Sequence, residues 1–149
     1  MPSGRAKRQP DPEPLVFFLD RGLGRHIIAD ALRSAGHQVL TMTDVYPDGA
    51  DMSVEDPTWI ARAGEEGWVA LTKDLAIVLD HPDDLAASDL RVFAFNNANL
   101  SGPVMAERLL QHLNRILRRC RKPGPYVYVI AADGLELRWP RNQSDDEKR

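Results

Sequence analysis

Six short segments rich in apolar and β-branched residues recur along the chain and predict six β-strands. They lie at residues 15–19, 37–43, 68–71, 90–95, 126–131 and 135–139. The first of them, with the sequence LVFFL, is apolar throughout, which is typical of a strand buried on both faces of a parallel sheet. The last two are separated by Asp133 and Gly134, a pair that favours a hairpin turn. The chain is therefore predicted to end in a β-hairpin.

Helical periodicity occupies most of the segments between these strands. Apolar residues recur at helical intervals in residues 23–35, 57–66 and 103–119, and the last of these is the longest amphipathic pattern. Gly36 favours an end to the first helix. Asp56 followed by Pro57 favours the start of the second, with Asp56 as its N-cap. A short helix or helical turn is expected at residues 75–79, and none in the polar segment 80–88.

The alternation of strands and helices predicts the α/β class, with a central, mostly parallel sheet and helices on both of its faces. The length of 149 residues and the apolar content of 43% suffice for one folded domain, which we place at residues 15–140. The basic, proline-rich residues 1–14 and the charged residues 141–149 are predicted to be disordered. No apolar run is long enough to span a membrane, and the single cysteine, Cys120, favours a cytoplasmic protein.

Polar side chains follow four of the predicted strands, at the point where each strand ends. In chain order these are Asp20, Asp44, Asp74 and Asn96. Because the carboxyl ends of parallel strands meet at one edge of a sheet, and open α/β sheets bind ligands at that edge, we expect these side chains to converge. Asp56, at a helix start, is within reach of the same edge. The sequence therefore predicts a cluster of carboxylates drawn from distant segments.

Carboxylates gathered in this way repel one another, and a hard divalent cation would relieve the repulsion. Mg²⁺ or Mn²⁺ takes oxygen ligands, keeps several waters and leaves room for a phosphate oxygen. The chemistry that this arrangement favours is the metal-assisted hydrolysis of a phosphodiester. Lys73, beside Asp74, is a candidate catalytic residue that steadies a phosphate, and Asn96 and Arg21 are candidates for substrate contacts.

Each of these residues also has an ordinary structural explanation. Asp20 and Asp56 are good helix caps, Asp44 suits a loop, and asparagines are common in turns. The four histidines lack the spacing of a zinc site and are interpreted as surface or core residues. The argument for a site therefore depends on several acids coinciding at one edge of the sheet.

The net charge of −3 does not by itself indicate a nucleic-acid-binding protein, but the charge is unevenly distributed. Residues 108–122 contain six basic side chains and no acidic one. Arg115 and Arg118 in this segment are candidates for binding an RNA backbone or an acidic partner. The alternative, slightly favoured, is that these arginines are solvated and complement the dipole at the end of a helix.

Taken together, several sequence segments resemble a known family. These are FFLDRGLG, AGHQVLTMTD, EDPTWIARAGEEGWVALTKD, VFAFNNANLSG and GPYVYVIAADG, and the resemblance covers about residues 16–137. In order and spacing they resemble the PIN-like domain of the VapC45 type, from the bacterial toxin–antitoxin ribonucleases. One departure is that residues 75–79 are apolar, where such families often carry charged side chains.

The resemblance implies a three-layer PIN-like fold and a Mg²⁺- or Mn²⁺-dependent endoribonuclease that acts on RNA. It also implies that a small antitoxin protein is the partner. Carried over to this chain, the metal-binding carboxylates are Asp20, Asp56 and Asp74, and Asp44 becomes a fourth or outer acid. A homodimer is compatible with these features, although the sequence does not fix the oligomeric state.

Two other functions are compatible with parts of the pattern. The first is a catalytically inactive PIN-like module that binds a partner protein or RNA through the basic helix and the acidic edge. The second is a phosphoacceptor receiver domain, which also places an aspartate at the end of a strand. A receiver domain would need an acidic pair after the first strand and a lysine after the last parallel one. The chain has Asp20–Arg21 after its first strand, and Lys73 lies beside Asp74, so this alternative is disfavoured.

Overall fold

A computed structural model describes residues 15–140 of the chain, apart from the side chain of Val78. The predictions for residues 1–14 and 141–149 concern residues outside this range. Within it, no helix is long and apolar enough to cross a membrane.

Six strands form a single sheet, as the hydrophobic pattern predicts. They are β1 (Val16–Leu19), β2 (Gln38–Thr41), β3 (Val69–Thr72), β4 (Arg91–Phe95), β5 (Tyr126–Ala131) and β6 (Gly134–Trp139). Their order across the sheet is β2-β1-β3-β4-β5-β6. The first five are parallel, and β6 pairs with β5 in the antiparallel direction. The mostly parallel sheet and the final hairpin are thereby confirmed.

In residues 15–140, seven α-helices cover the two faces of the sheet and complete a three-layer arrangement. They are α1 (Ile27–Ser34), α2 (Met42–Val45), α3 (Asp56–Glu66), α4 (Ile77–Asp80), α5 (Pro82–Ser88), α6 (Gly102–Gln111) and α7 (Leu113–Arg119). Helices α1, α6 and α7 pack with Phe17 and Leu19 of β1 on one face. Helices α3, α4 and α5 pack with Phe18 on the other. Successive β1 residues thus serve opposite layers, as strand alternation requires, and the predicted α/β class is confirmed.

Three predicted elements differ from the structure for local reasons. The second strand ends at Thr41 and not at residue 43, because Thr41 and Asp44 form a reciprocal capping box that starts α2. The polar segment 80–88 contains the helix α5, which begins with Pro82 at its first position. Asp56 is the first residue of α3 rather than its cap, and Glu55 takes the N-cap position.

The long amphipathic pattern after β4 forms two helices and not one. The break lies at His112, whose buried ring places Nε2 3.1 Å from the carbonyl oxygen of Ala132. This contact ties the junction of α6 and α7 to the hairpin. The hairpin loop itself consists of Ala132 and Asp133, and Gly134 already belongs to β6.

Close packing between α3 and α5 fixes how these two helices lie on one face of the sheet. A Cβ atom on Gly64 of α3 would lie 2.1 Å from the carbonyl oxygen of Ser88 in α5, so only glycine fits there. Phe18 packs on both Trp59 and Trp68 beneath these helices. The start of α3 is therefore fixed relative to the sheet by buried aromatic contacts.

Candidate metal centre

The chain reverses its direction across the sheet between β1 and β3. From β1 the chain steps outward to β2, and from β3 it steps the other way to β4. Residues at the carboxyl ends of these two strands therefore flank the crevice where open α/β sheets bind their ligands. Asp20 follows β1 at this point, and its backbone N–H donates to the carbonyl oxygen of Leu71 in β3 at 3.0 Å.

The carboxylate of Asp20 is held by two hydrogen bonds. Its Oδ1 accepts from the backbone N–H of Arg21 at 2.6 Å, and its Oδ2 accepts from Thr72 Oγ1 at 2.8 Å. Burial raises the pKa of Asp20, these two hydrogen bonds lower it in part, and the negative charges of Asp56 and Asp74 raise it again. The three acids thus act on one another electrostatically. Asp20, Asp56 and Asp74 are called the acid rim below.

Thr72 links two members of the acid rim. Its buried hydroxyl donates to Asp20 and accepts from the backbone N–H of Asp74 at 3.0 Å. The side chain of Asp74 is in turn oriented by the backbone N–H of Ala76, which donates to Oδ1 at 2.9 Å. This short turn, in which an aspartate caps its own backbone, leaves the second oxygen of Asp74 without a protein hydrogen bond in the described residues.

Asp56 is oriented by a tryptophan and a histidine. The indole Nε1–H of Trp59 donates to Asp56 Oδ1 at 2.8 Å, while the Trp59 ring is almost completely buried. His81, between α4 and α5, places Nε2 3.4 Å from Asp56 Oδ2 and Nδ1 3.6 Å from Asp84 Oδ2. The histidine therefore lies between two carboxylates at the margin of the site.

Lys73 lies along the turn that follows Asp20. A Cβ atom on Gly22 would be 3.1 Å from the Cε atom of Lys73, so the lysine side chain runs directly over this glycine. Within the part of the chain that the structure describes, Lys73 forms no ion pair with a carboxylate. Its ammonium group is available to a ligand beside the acid rim.

Two residues expected at the site are engaged elsewhere. Asp44 Oδ2 accepts from the backbone N–H of Thr41 at 2.9 Å and pairs with Arg33 at 3.4 Å, so this carboxylate stabilises α2. The guanidinium of Arg21 donates to the carbonyl oxygens of Asp51 and Val54. Arg21 therefore holds the loop that leads to Asp56 through its Nε and Nη2 donors.

The remaining candidates lie farther from Asp20. Asn96 follows β4, next to the end of β3, and its Oδ1 accepts from Arg108 at 3.0 Å. Arg115 and Arg118 are not brought to the acid rim, because they line a cavity of about 250 Å³ together with Arg119 and Leu135. This cavity, the arginine pocket, lies between α7 and the edge strand β6.

The chemistry of the acid rim fits a divalent cation only in an open site. Its donors are carboxylate oxygens, which hard cations prefer. Within residues 15–140, however, no three acidic, histidine or cysteine side chains are close enough together to hold an ion. Mg²⁺ keeps several waters and is commonly held by one or two carboxylates. The residues present therefore fit a hydrated ion and do not form a closed protein cage.

Three contributors to the site were not expected from the sequence. Trp59 is a buried core residue, and its indole also orients Asp56. His81, one of the histidines interpreted from the sequence as surface or core residues, contacts Asp56 as well, and Thr72 lies one residue beyond the strand predicted at residues 68–71. A polar residue at the end of a buried strand, directly before Lys73 and Asp74, is the one signal that pointed to Thr72.

The receiver-domain alternative finds no support at the end of β5. That strand is followed by Ala132 and Asp133, so the lysine that a receiver domain would need after its last parallel strand is absent there.

Comparisons with known proteins agree with this geometry. The family described as "PIN like domain" matches residues 15–97. A protein of Mycobacterium tuberculosis with the name "Putative ribonuclease VapC45" is 33% identical over 128 residues, which is 82% of this chain and 93% of that relative. No solved structure matches the chain significantly. The family match includes all three residues of the acid rim.

Proposed function

This chain belongs to the family of PIN-like domains, and on that premise we propose that it is a divalent-metal-dependent endoribonuclease that hydrolyses phosphodiester bonds in RNA. The similar protein from Mycobacterium tuberculosis has a name that denotes a ribonuclease. We extend that activity to this chain because the acid rim offers oxygen donors at the crevice where such a fold binds its ligands.

One observation carries the proposal: the half-buried carboxylate of Asp20 lies in the field of two further carboxylates. Burial and the charges of Asp56 and Asp74 all raise the pKa of Asp20, which means that the ionised site is destabilised without a positive charge. A divalent cation supplies that charge. A purely structural cap would not need two more carboxylates near enough to raise its pKa.

The roles of the residues follow from their contacts. Of Asp20, Asp56 and Asp74, one or two would bind the hydrated cation directly and the others through its waters, while Thr72 and Trp59 orient Asp20 and Asp56. When bound, a divalent cation supplies Lewis acidity toward the scissile phosphate and lowers the pKa of the attacking water. Lys73, lying over Gly22, would bind a non-bridging phosphate oxygen and offset its charge. Asn96 would contact the substrate beside it.

The direct test is cleavage of a labelled single-stranded RNA in the presence of Mg²⁺ or Mn²⁺. Wild-type protein is expected to cleave, EDTA to abolish cleavage, and Asp20→Asn and Asp74→Asn to be inactive. Asp30→Asn, on the exposed side of α1, is the matched control. Undiminished cleavage by both rim variants would exclude this site as the catalytic one.

The role of Asp44 can be tested in the same assay. Because its carboxylate caps α2 and pairs with Arg33, Asp44→Asn is expected to cleave RNA at close to the wild-type rate. If Asp44→Asn reduced the rate of RNA cleavage as much as Asp20→Asn, Asp44 would count among the metal ligands.

The alternative is a catalytically inactive PIN-like module that binds RNA or a protein. It is favoured by the lack, within the described part of the chain, of three ligating side chains close enough to bind an ion together. Titration with Mn²⁺ by calorimetry separates the two functions. Saturable binding that Asp20→Asn removes supports the nuclease, and no binding at millimolar concentration supports the module.

We also propose that the chain acts in the cytoplasm as the toxin of a toxin–antitoxin pair, with a small antitoxin as its partner. Expression of the wild-type chain is then expected to arrest growth of a bacterial host, and Asp20→Asn to be harmless. Co-expression of a small protein encoded beside this chain should restore growth. A homodimer forms part of the same proposal, and sedimentation would distinguish it from a 16.7 kDa monomer.

A further inference from the structure

The arginine pocket gathers three guanidinium groups in one small cavity. Arg115, Arg118 and Arg119 line a space of about 250 Å³, closed on one side by Leu135. Two of these side chains are positioned by the hairpin. The guanidinium of Arg119 lies 5.6 Å from the centre of the Tyr128 ring, and Nη1 of Arg115 would be 3.2 Å from a Cβ atom on Gly134. The pocket is thus partly organised before any ligand binds.

No carboxylate neutralises these arginines in the described residues. None of the three forms an ion pair within residues 15–140. Strand β6 presents Leu135, paired with Ile130, to the face that α7 covers. Glu136 pairs with Val129 and by alternation points to the opposite face. Three like charges held together without a counter-charge favour binding of an anion.

Besides Lys73, positive charge at a distance from the acid rim would strengthen the binding of an RNA substrate. Carboxylates repel phosphates, and the guanidinium of Arg21 beside them is used on the carbonyl oxygens of Asp51 and Val54. Strand β6 lies four positions from β1 in the sheet, which is about 19 Å at the usual strand spacing. A single strand extending a few nucleotides from the acid rim covers that distance.

We propose that the arginine pocket binds the phosphodiester backbone of the RNA, a few nucleotides from the bond that is cleaved. This inference rests on the proposed nuclease function, since it treats RNA as the ligand. Arginine suits the task because its planar, five-donor group bonds two phosphate oxygens at once. The pocket supplies affinity, whereas the acid rim supplies the chemistry.

The test measures binding of the full chain to a fluorescent single-stranded RNA of about 12 nucleotides in EDTA, so that no cleavage occurs. Arg115→Gln and Arg118→Gln are compared with Arg121→Gln, which removes the same charge just beyond α7 and outside the pocket. Each pocket variant is expected to weaken binding about tenfold. Each should also reduce the slope of log affinity against log salt by about 0.7. Arg121→Gln should change neither quantity as much.

Length dependence separates a subsite from a general effect of charge. In the presence of Mn²⁺, cleavage of a dinucleotide, which is too short to reach the pocket from the acid rim, should be equally fast in wild type and Arg118→Gln. Equal affinity of the longer RNA in all variants, or equal losses with Arg121→Gln, overturns the proposal. The proposal also fails if a glutamate-rich peptide, and not RNA, loses affinity in the pocket variants.

The same experiment distinguishes this inference from the proposed function. If Mn²⁺ fails to support cleavage while the pocket variants still lose RNA affinity, the nuclease is excluded and the backbone-binding pocket stands. If cleavage occurs and the pocket variants bind the longer RNA as tightly as wild type, the reverse holds.

Discussion

The acid rim and the arginine pocket both hold several like charges, but the acids come from three separate segments whereas the three arginines all lie in α7. In the acid rim, Asp20 is half-buried at the ends of central strands and is held by hydrogen bonds from Thr72 and the Arg21 backbone. In the arginine pocket, the side chains are exposed, and those of Arg115 and Arg119 pack on the hairpin. One region lies at the switch in strand order, and the other lies at an edge of the sheet.

This difference has a physical consequence for what each region can do. Because water is partly excluded from the acid rim, charges there interact more strongly, and ionising its carboxylates costs free energy. Such a site suits the binding of a cation that takes part in the chemistry. Exposed arginines keep most of their hydration and are screened by salt, which suits salt-dependent attraction of a polyanion. The following predictions test whether the two regions differ in this way.

The largest expected effect is the loss of cleavage in Asp20→Asn. Removal of the central carboxylate should reduce the rate of RNA cleavage by about 100-fold or more, with RNA binding in EDTA undiminished because a repulsive charge is removed. Arg118→Gln should show the opposite behaviour, with weaker binding and an unchanged cleavage rate at saturating RNA. If each variant lost cleavage rate and RNA affinity by the same factor, the two regions would not differ in function.

A smaller effect is expected from Trp59→Phe. The substitution removes the indole N–H that orients Asp56, so Mn²⁺ affinity measured by calorimetry should fall by about tenfold. Trp68→Phe is the matched control, because Trp68 also packs on Phe18 but makes no indole hydrogen bond among the described residues. Equal Mn²⁺ affinities in the two variants would show that Trp59 serves only the core.

Thr72→Val tests the link between Asp20 and Asp74. The substitution replaces the buried hydroxyl, with its two hydrogen bonds, by a methyl group of similar size. Metal affinity should therefore fall several-fold, and the free energy of unfolding should fall by about 1–3 kcal/mol. Thr41→Val removes another buried, hydrogen-bonded hydroxyl, at the start of α2, and should cost about 1 kcal/mol without changing metal affinity. Chemical denaturation and calorimetry together separate these outcomes.

The pH dependence of the stability of the metal-free protein should show the free-energy cost of ionising Asp20. Its folded-state pKa lies above the ordinary value of 3.8, so the folded protein binds this proton more tightly than the unfolded chain does. The stability that the proton contributes is complete below pH 3.8 and is lost as the pH rises through the raised pKa. Asp20→Asn should therefore raise Tm at pH 7, and the gain should disappear in acid. A Tm lower than wild type at pH 7 would contradict this assignment.

The smallest expected effect is the coupling between the two regions. The acid rim and the arginine pocket share no contact in the described residues and lie about four strands apart, so their substitutions should be additive in RNA affinity to within about 0.5 kcal/mol. Asp20→Asn, Arg118→Gln and the double variant form the cycle. A larger coupling energy would mean that the two regions act as one site.

Local signals predicted most of the fold. The apolar runs at β1 and β4 and the Asp133–Gly134 hairpin are short-range patterns whose meaning hardly depends on the rest of the chain. The predictions of secondary structure are wrong where tertiary contacts override a local sequence pattern. Helix α5 lies in a polar segment, and it forms because Leu85 is buried against α3. The break between α6 and α7 depends on a contact of His112 with the hairpin, and the helical spacing of apolar residues gives no indication of such a contact.

The candidate site was predictable in its main acids and not in their supports. Asp20 and Asp74 follow buried strands, and the parallel sheet brings strand ends together, so their convergence could be inferred. The family resemblance, and not the pattern, gave Asp56 its place in the ligand set. Trp59 lies three residues after Asp56 in α3, a spacing at which helix side chains meet, so this contact could have been inferred from a helix beginning at Asp56. The contact of His81 with Asp56 could not, because it depends on how α3 packs against the segment between α4 and α5.

By itself, therefore, the sequence determined which segments are strands, which residues end them, and the class of chemistry that their carboxylates favour. The tertiary structure alone decided which charged side chains are left for a ligand. Arg21 and Asp44 form contacts within the fold. Lys73 and the three pocket arginines, in contrast, form no ion pair in the described residues. The physical reason is that a side chain's hydrogen-bond partners are set by packing between distant segments, whereas its place at a strand end is set by neighbours in the chain.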